Sequence, residues 1–421
     1  KVSEEEIPEK YKKFGGRGIT SKIINDEVIP TCNPIGKNNK LVFSTGLLGG
    51  TTVSSSHRLS VGAKSPLNGR IKEANSGGTA GRKLSDLKIR AIIVEGKPKT
   101  DDCYVLNVSA DKIEIEKRND LKNMNNYPLA EKLYDEDKPA IVSIGKAGEM
   151  KLSASSITVT DLHGEPNNVA ARGGLGAVMG SKGLKALIIK SKNAKGVKYA
   201  HPDKFKEAAM KFNQALLDNP GKQKQGKYGT ASITRTVNDL GCLPTNNFRR
   251  GDFEDIGEID GDKLYEIIMD RGGEGNNSYS CMPGCVIRCR NTYADEDGNR
   301  LGACVQYETI GLMGSNCGIN SLDVIAKMTH LANNIGLDTI EMGATIAMLN
   351  DVDMYEFGDG ERAIELLEEI DKGSYLGRIL GQGAETTAKV LGIDRVPSVK
   401  GQAMPSYDPR GLKGNGVTYS T

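Results

Sequence analysis

Tryptophan, histidine and long apolar runs are scarce in this chain of 421 residues. It has no tryptophan and four histidines, and no apolar run reaches the length of about 18 residues that a membrane-spanning helix needs. No secretory signal pattern stands at the start of the sequence. We therefore expect a cytoplasmic protein that does not insert into a membrane.

An excess of charge of one sign is also missing. The 56 Lys and Arg residues nearly balance the 54 Asp and Glu residues, which leaves a formal net charge of +2. A dedicated nucleic-acid-binding protein usually has a large excess of positive charge, so the near balance here argues against nucleic acid as a partner. Local lysine-rich patches still suit a phosphate-bearing cofactor or an acidic protein.

Neither terminus has the features of a natural chain end. The sequence starts at Lys1 rather than at a methionine, and it stops in the run GVTYST without a closing signal. We expect that further segments belong to the protein and carry part of its function.

The residue pattern changes along the chain from short β-type runs to helical spacing. Short β-type runs alternate with glycine-rich turns up to about Lys190: LVFSTG, KIRAIIVEG, CYVLNVSADKIEIEK, KPAIVSIG and GLKALIIK. The polar segment 191–204 is interpreted as a linker, and helical spacing begins at Phe205. The first helical face consists of Phe205, Ala208, Ala209, Phe212, Leu216 and Leu217, and Pro220 stops the run.

The sequence therefore predicts an α+β fold, in which a β-rich N-terminal domain is followed by mostly helical domains. A guide of about 150 residues per domain suggests two or three domains for this length. We place them at residues 1–192, 205–330 and 331–421.

Three of the eight cysteines lie in the run SCMPGCVIRCRN, as Cys281, Cys285 and Cys289. In a reducing compartment, clustered thiols are metal ligands more often than disulfide partners. Structural zinc sites usually pair cysteines as CxxC or add histidines, and the nearest histidine is His330. The spacing favours an iron–sulfur cluster that takes three thiolates from one loop, while zinc and reduced structural thiols stay open as alternatives.

Paired glycines stand beside single arginines in two stretches. In SSSHRLSVGAKSPLNGRIKEANSGG, Arg58 precedes the pair Gly77–Gly78, and in NNVAARGGLGAVMG, Arg172 precedes the pair Gly173–Gly174. Glycine lets the backbone approach a ligand closely, and arginine suits bidentate contact with phosphate. The two stretches could hold two anionic groups, and tight turns with exposed arginines are the alternative.

A helix junction occurs in HLANNIGLDTIEMG. The apolar face before it consists of Leu322, Ile325, Met328 and Leu331. Gly336 suits the residue just after a helix, and Asp338 suits the N-cap of the next helix, with Glu341 three positions later as in a capping box. Ordinary helix capping explains this pattern. Alternatively, Asn333, Leu337 and Asp338 would present polar groups and backbone to a ligand.

The combination of motifs resembles the aldehyde ferredoxin oxidoreductase family of tungsten enzymes, in its bacterial branch. The motifs that carry the resemblance run in order through essentially the whole chain: FGGRGITSKII, AKSPLNGRIKEANSGG, AARGGLGAVMGSKGLKA, GCLPTNNF, SCMPGCVIRC, YETIGLMGSNCGI, NNIGLDTIEM and YDPRGLKGNGVTY. The resemblance implies a tungsten, or occasionally molybdenum, ion held by two molybdopterins, and one 4Fe-4S cluster. It also implies oxidation of aldehydes to carboxylic acids with electrons passed to ferredoxin.

The same resemblance implies roles for individual residues. Those matching pterin-binding positions are Arg58, Asn75, Gly77 and Gly78 in a first phosphate loop, Arg172, Gly173, Gly174 and Leu175 in a second, and Asn333, Leu337 and Asp338 in a turn. The carbonyl oxygens of Asn75 and Gly173 would bind a magnesium ion between the pterin phosphates. Cys281, Cys285 and Cys289 match cluster ligands. Glu308 of QYETIGL would shuttle a proton, whereas without the resemblance it would be interpreted as a surface glutamate on a helix.

This chain departs from the family pattern at several positions. Asn333 replaces the usual aspartate, the cysteines are spaced three-then-three rather than two-then-three, and Lys327 replaces a glutamate that binds a metal at the dimer axis with the residue equivalent to His330. We therefore expect no bridging metal, and oligomerisation is left open.

The family's fourth cluster cysteine, its second pterin turn and an active-site histidine would lie beyond Thr421. The chain is then a fragment, or a second chain completes the site. The cysteines that match none of these positions are interpreted as buried or incidental: Cys32, Cys103, Cys242, Cys304 and Cys317.

Two other functions stay open at this point. Some members of the family reduce carboxylic acids or aromatic thioesters instead of oxidising aldehydes. Alternatively, the chain is an inactive scaffold or an electron-relay subunit that keeps a cluster without a working tungsten site.

Overall fold

A computed structural model describes residues 1–302 and 304–420 of the chain. The contacts within the chain define two units. The first consists of Lys1–Asn219, Ser280–Val286 and Asn334–Gly336, and the second of Pro220–Tyr279, Ile287–Asn333 and Leu337–Thr421. The division into three domains expected from the sequence stays a prediction.

A four-stranded antiparallel sheet lies in the first unit. Its strands are β1 (Leu41–Thr45), β2 (Leu59–Lys64), β3 (Ile71–Ser76) and β4 (Ala91–Val94), in the order β3-β2-β1-β4. The predicted strands LVFSTG and KIRAIIVEG are confirmed as β1 and β4. The hairpin of β2 and β3 lies where the sequence indicated only glycine-rich loops.

A six-stranded sheet makes up the second layer of the same unit. Its strands are β5 (Tyr104–Val108), β6 (Ile113–Lys117), β7 (Ala140–Ser143), β8 (Ile157–Val159), β9 (Asn168–Ala170) and β10 (Leu184–Ile189), in the order β6-β5-β10-β7-β8-β9. β10 pairs parallel with β5 and antiparallel with β7, and the other pairs are antiparallel. The remaining β-type runs of the N-terminal region are thereby confirmed as strands.

The two sheets pack face to face through the side chains that point inward from alternate positions of their strands. Leu41 and Phe43 of β1 belong to the same apolar cluster as Val142 of β7 and Leu187 of β10. Successive residues of a strand point to opposite faces, so Val42, between Leu41 and Phe43, lies in a different cluster. The two sheets therefore share one apolar core.

Helices cover the outer faces of the sheets. Those of the first unit are α1 (Arg17–Glu27), α2 (Ala80–Asp86), α3 (Asn126–Leu133), α4 (Lys146–Glu149), α5 (Leu175–Ser181) and α6 (Pro202–Leu217). Ile19 and Ile23 of α1 pack with Val42 of β1. Leu129 of α3 packs with Ile141 on the outer face of the six-stranded sheet. α1 and α3 thus cover the outer faces, whereas α2 and α5 contribute side chains to the core that the two sheets share. This mixture of sheets and helices confirms the α+β class.

The helix predicted from Phe205 onward is confirmed as α6, although its apolar face is largely exposed. Of the six residues of that face only Ala209 is buried, while Phe212 and Leu217 are 48% and 41% exposed. Pro220 lies after the end of this helix, as predicted, and is also the first residue of the next helix.

The elements after α6 are mainly helical, as the sequence predicted. The helices are α7 (Pro220–Tyr228), α8 (Thr234–Asp239), α9 (Gly261–Arg271), α10 (Tyr307–Thr309), α11 (Leu322–Ile335), α12 (Thr339–Met348), α13 (Gly360–Lys372), α14 (Tyr375–Leu380), α15 (Ala384–Leu391) and α16 (Lys413–Ser420). Two short hairpins accompany them, β11 (Asn276–Tyr279) with β12 (Arg290–Thr292), and β13 (Ser398–Val399) with β14 (Gln402–Ala403). No helix in the described part of the chain is long and apolar enough to cross a membrane.

The junction after α11 has the terminating glycine and the N-cap residue that the sequence predicted. Gly336 has a φ of +84°, and Asp338 caps α12 by accepting a hydrogen bond from the Ile340 N–H at 3.1 Å. Glu341 is fully buried, and its two carboxylate oxygens accept bonds from the N–H groups of Ala384 and Ala403, each at 3.1 Å. The carboxylate therefore ties α12 to α15 and to β14.

His57 of the first unit gives the fold a dependence on pH. Its side chain is buried, and Nδ1 accepts a hydrogen bond from the Gly50 N–H at 3.1 Å, which requires an unprotonated Nδ1. Burial, followed by the positive charge of Arg82, lowers the pKa of His57 from 6.5 to about 4. The unfolded chain therefore takes up this proton at a higher pH than the folded chain.

We predict that His57 removes about 3 kcal/mol of folding stability as the pH falls from about 6.5 through 4, because the unfolded state binds more protons over that range. Above pH 6.5 this contribution to stability is complete. Urea unfolding of wild type and His57→Asn, which keeps an acceptor for Gly50, should show a stability difference that shrinks with falling pH. The exposed His201→Asn should follow wild type, and a constant difference for His57→Asn would contradict the prediction.

Candidate functional site

The residues predicted to form a site fall into two groups, one in each unit. The first unit contains both arginine–glycine stretches together with Cys281 and Cys285. The second unit contains Cys289, Glu308, Asn333, Leu337 and Asp338. Each group is described by itself.

The β2–β3 hairpin brings Arg58 beside Asn75. Leu59 pairs with Ser76 and Ser60 with Asn75, so the residue before β2 reaches the end of β3. The Arg58 guanidinium donates to the side-chain oxygen of Asn75 and, at 3.3 Å, to its carbonyl oxygen. Because Arg58 is exposed, its charged group stays accessible at the edge of the sheet.

The two arginine–glycine stretches contact each other, although about 100 residues of sequence lie between them. The Ser65 hydroxyl, in the turn between β2 and β3, donates to the Gly173 carbonyl at 2.7 Å. A Cβ on Gly174 would lie 2.8 Å from Cγ of Pro66, and one on Gly77 would lie 2.8 Å from Oδ1 of Asn168. The tertiary structure therefore joins the two loops that the sequence singled out.

Glycine is required in these loops for conformation as well as for space. Gly78, Gly173 and Gly174 have φ values of +88°, +91° and +72°, which side-chain-bearing residues rarely adopt. A Cβ on Gly173 would also lie 2.4 Å from Cγ of Lys72. Turns of this kind can present backbone N–H groups to an anion.

The loop that carries Cys281 and Cys285 packs on the first of these glycine pairs. The Gly78 N–H donates to the Cys281 carbonyl at 2.7 Å, and a Cβ on Gly77 would lie 3.1 Å from the Cys281 Sγ. Cys285 Sγ lies 3.4 Å from the Ser55 hydroxyl. The first unit thus holds two of the three clustered thiols against the residues next to Arg58 and Asn75.

All three clustered cysteines are half-buried and none of them forms a disulfide, and Cys289 belongs to the second unit. Within residues 1–302 and 304–420, no three His, Cys, Asp or Glu side chains converge closely enough to hold a metal ion. The assignment of these cysteines to a 4Fe-4S cluster therefore stays a prediction. Of the five remaining cysteines, Cys32 is half-buried and the other four are buried, as expected of incidental thiols.

Glu308 of the second unit is half-buried at the start of an unusual helix. Its Oε2 accepts a hydrogen bond from the Ser406 N–H at 2.9 Å. The preceding Tyr307 donates through its hydroxyl to the Ser406 carbonyl and packs on Tyr407 with ring centroids 5.0 Å apart. Burial, and then the negative charge of Glu308, raises the pKa of Tyr407. Ser406 therefore links Glu308 to Tyr307, and Tyr407 lies close enough to feel the charge of the carboxylate.

The helix that starts at Tyr307 changes to a π-helical turn over Ile310–Gly314. Such turns are rare and often occur at functional sites. The Thr309 hydroxyl lies 3.5 Å from that of Thr339, so Glu308 and the N-cap residue Asp338 belong to adjoining turns. Asn333, Leu337 and Asp338 are all buried, and their binding of a pterin stays a prediction.

The two carbonyl oxygens predicted to bind magnesium already accept bonds from protein groups. That of Asn75 accepts from Arg58, and that of Gly173 accepts from Ser65. A carbonyl oxygen has two lone pairs, so each could still bind a cation. The arginine side chains, the left-handed glycines and these carbonyls form a donor set that fits a phosphate-bearing cofactor with a magnesium ion.

Sequence reasoning missed several residues that the structure places in these groups. Ser65, Lys72 and Asn168 contact the glycine loops, and Tyr307 and Ser406 hold Glu308 in place. The Ser–Pro step at residues 65 and 66 is a turn signal that could have pointed to the hairpin. The contacts of Lys72, Asn168 and Ser406 have no signal in the local sequence, because their partners are distant along the chain.

Comparison with known proteins defines the family. Residues 1–191 match the model of the aldehyde ferredoxin oxidoreductase N-terminal domain, and residues 207–421 match that of its domains 2 and 3. The chain therefore belongs to the aldehyde ferredoxin oxidoreductase family.

Individual relatives agree with this membership. A tungsten-containing aldehyde ferredoxin oxidoreductase of Pyrococcus horikoshii is 33% identical over 446 residues, which cover 100% of this chain and 70% of that protein. The enzyme of the same name from Pyrococcus furiosus is 32% identical, covering 99% of this chain and 69% of that protein. A WOR-like subunit of an aliphatic sulfonate oxidoreductase, also from Pyrococcus furiosus, is 26% identical, covering 94% of this chain and 66% of that protein.

A solved structure shares the fold. It is the active-site complex BamBC of benzoyl coenzyme A reductase with 1,5-dienoyl-CoA, matched with a TM-score of 0.77 and 24% identity. The match covers 93% of this chain and 62% of that one. At this identity the likeness shows the fold alone.

We predict that Ser65→Ala lowers the free energy of unfolding by about 1 to 2 kcal/mol, because the buried Gly173 carbonyl loses its donor and two turn amides lose an acceptor. Denaturant unfolding measures this loss. Ser109→Ala, in the turn after β5, removes comparable turn bonds away from the glycine loops and should cost less. Equal losses in the two variants would show that the contact between the loops adds no stability.

Proposed function

We propose that this chain binds a tungsten, or alternatively molybdenum, bis-molybdopterin and contributes to an enzyme that oxidises aldehydes to carboxylic acids. Membership of the family supports this proposal. The single observation that carries it is the contact between the two arginine–glycine loops, where Ser65 of one donates to Gly173 of the other at 2.7 Å.

The two loops act as the phosphate-binding elements. Arg58 and Arg172 neutralise the pterin phosphates, and the glycine pairs let backbone N–H groups approach them. Asn75 and Gly173 offer carbonyl oxygens to a magnesium ion. Asn333, Leu337 and Asp338 bind a pterin from their helix junction. When bound, the tungsten centre supplies the redox chemistry that accepts two electrons from the substrate.

Glu308 is the proton acceptor of the reaction. Addition of water to the aldehyde carbonyl releases a proton, and a half-buried carboxylate held by the Ser406 N–H is placed to take it. In this proposal Glu308 acts only in proton transfer and is not a ligand of a metal or a cofactor.

Cys281, Cys285 and Cys289 supply three thiolates to a 4Fe-4S cluster, which passes electrons to ferredoxin or to a ferredoxin-like subunit. Their close spacing in one loop and their half-buried, reduced state support this role. The fourth ligand comes from a segment or chain outside this sequence.

Two other functions compete with aldehyde oxidation. A family member that reduces carboxylic acids or aromatic thioesters would use the same cofactor, and the named relatives act in more than one reaction class. An electron-relay or scaffold subunit would keep the cluster alone.

Metal and pterin analysis of the protein purified with its natural partners separates these classes. Tungsten with about four irons per chain supports the enzyme, whereas iron without tungsten supports the relay subunit. Viologen reduction with benzaldehyde or acetaldehyde then tests for aldehyde oxidation. A tungsten-loaded protein that oxidises neither aldehyde but reduces an acid or a thioester would replace aldehyde oxidation as the function.

We predict that Arg172→Ala, made in the complete protein, weakens the hold on the pterin cofactor by roughly 10- to 100-fold, because charge-assisted bonds to a phosphate are lost. Tungsten and pterin content after dialysis measures the effect. Arg118→Ala is the matched control, since Arg118 follows β6 in the same unit and pairs with Asp120. Wild-type cofactor content in the Arg172 variant would count against the loop assignment.

We predict that Glu308→Gln lowers turnover by roughly 100- to 10,000-fold, because the amide keeps the size of the side chain but cannot accept the proton. Aldehyde-dependent viologen reduction gives the rate, while tungsten, pterin and iron contents should stay at wild-type levels. Glu361→Gln, at an exposed position in the first turn of α13, should keep full activity. Loss of the metal in Glu308→Gln would make this residue structural.

A further inference from the structure

A cavity of about 700 Å³ lies in the first unit, and its lining includes none of the arginines and glycines assigned to the two loops. Three segments line it, namely the glycine-rich loop 45–51 after β1, the end of α2 with residues 88–90, and residues 197–205 at the start of α6. This volume is in the range of small-molecule sites. None of its lining residues has a role in the proposed cofactor binding, so the cavity needs its own explanation.

Specific contacts hold its walls in place. The Asn213 side chain of α6 accepts a hydrogen bond from the Ser54 N–H and donates to the Thr52 carbonyl, both at 2.9 Å. A Cβ on Gly50 would lie 2.8 Å from Cγ1 of Val197, so the glycine loop and the segment before α6 are in close contact. The cavity is therefore bounded by packed elements.

Charge of one sign lines the cavity. Lys88, Arg90, Lys198 and Lys204 are among its lining residues, and no Asp or Glu is. None of these four side chains makes an ion pair with a described residue elsewhere in the chain. Four cations collected around one cavity repel one another, so a bound anion would stabilise the arrangement.

Aromatic and apolar groups share the same cavity. Tyr199 and Phe205 are stacked with ring centroids 4.5 Å apart, and Leu47 and Leu48 are 54% and 47% exposed. A phosphate ion alone would need neither the rings nor a volume of about 700 Å³. Aromatic side chains beside cations are the pattern that binds a phosphate-bearing ring compound by stacking.

From the unpaired cations and the aromatic wall we infer that this cavity binds a nucleotide, with its phosphates toward Lys198 and Lys204 and its base beside Tyr199. His201 is the N-cap of α6 and Lys204 and Phe205 lie in its first turn, so the positive end of that helix favours the phosphate further. The site is independent of the pterin loops.

Calorimetric titration with ADP tests the inference, with pyrophosphate and adenosine as partial ligands. ADP should bind at least about tenfold more tightly than either, because stacking of the base adds to the phosphate contacts. Absence of ADP binding at millimolar concentration would overturn the inference. Equal affinity for pyrophosphate and ADP would also overturn it, since the ring would then make no contact.

Paired variants locate the site. Lys198→Gln with Lys204→Gln should weaken ADP binding roughly tenfold. Lys206→Gln with Lys211→Gln removes the same charge from α6 at positions that do not line the cavity, and should bind ADP as wild type does. Equal weakening in both pairs would indicate nonspecific attraction and reject the site.

A third variant tests the ring. Tyr199→Leu should reduce the preference for ADP over pyrophosphate roughly tenfold or more, and an unchanged preference would contradict the role of Tyr199. Thermal melting followed by circular dichroism checks that each variant is folded. Tungsten and pterin contents should not change in any of them, which separates this site from the proposed catalytic function.

Discussion

The shared apolar core of the two sheets is the constraint on which the first unit depends. Leu41 and Phe43 of one sheet and Val142 and Leu187 of the other are buried in a single cluster. Because side chains alternate along each strand, this contact fixes which face of every strand points inward. It also fixes where the strands end, and the loops that leave those ends carry the proposed cofactor-binding residues.

Close backbone approach is the second consequence of that packing. β3 and β9 lie beside each other in opposite directions, so that Gly77 after β3 meets Asn168 at the start of β9, and Ser65 before β3 bonds to Gly173 after β9. Side chains larger than hydrogen would separate these segments, since the added Cβ atoms would lie 2.4 to 2.8 Å from their neighbours at Gly77, Gly173 and Gly174. The glycines thus serve the joining of the loops as well as the approach of a ligand.

In the second unit the arrangement around Glu308 has a different physical basis. A π-helical turn follows it, and Ser406 supplies both an N–H to Glu308 and a carbonyl to the Tyr307 hydroxyl. Gly311 permits the contact, because a Cβ there would overlap the Ser406 hydroxyl. A carboxylate with a defined donor and limited solvent is better suited to proton transfer than a freely exposed one.

Local patterns in the sequence were sufficient for the strands β1, β4 to β7 and β10, for the start of α6, for the punctuation at Gly336 and Asp338, and for family membership. They succeeded because periodicity, caps and motifs depend on neighbouring residues. They were insufficient for the β2–β3 hairpin, because the alternation of Leu59, Val61 and Ala63 is short and lies among glycine-rich turns, and β3 is largely polar. They also did not show that the face of α6, despite its helical spacing, stays largely exposed.

The tertiary structure alone decided which of those residues meet. Ser65 with Gly173, Gly78 with Cys281, and Glu308 with Ser406 are separated by about a hundred residues or more of sequence, and no local pattern encodes such pairs. In the sequence, the segment with Lys198, Tyr199 and Lys204 has the pattern of a polar linker. In the structure, α6 packs on residues 52–54, and this segment lines one cavity together with Lys88 and Arg90. The sequence by itself determined the elements and the family, and the packing of distant segments determined the sites, because binding chemistry depends on distances in space.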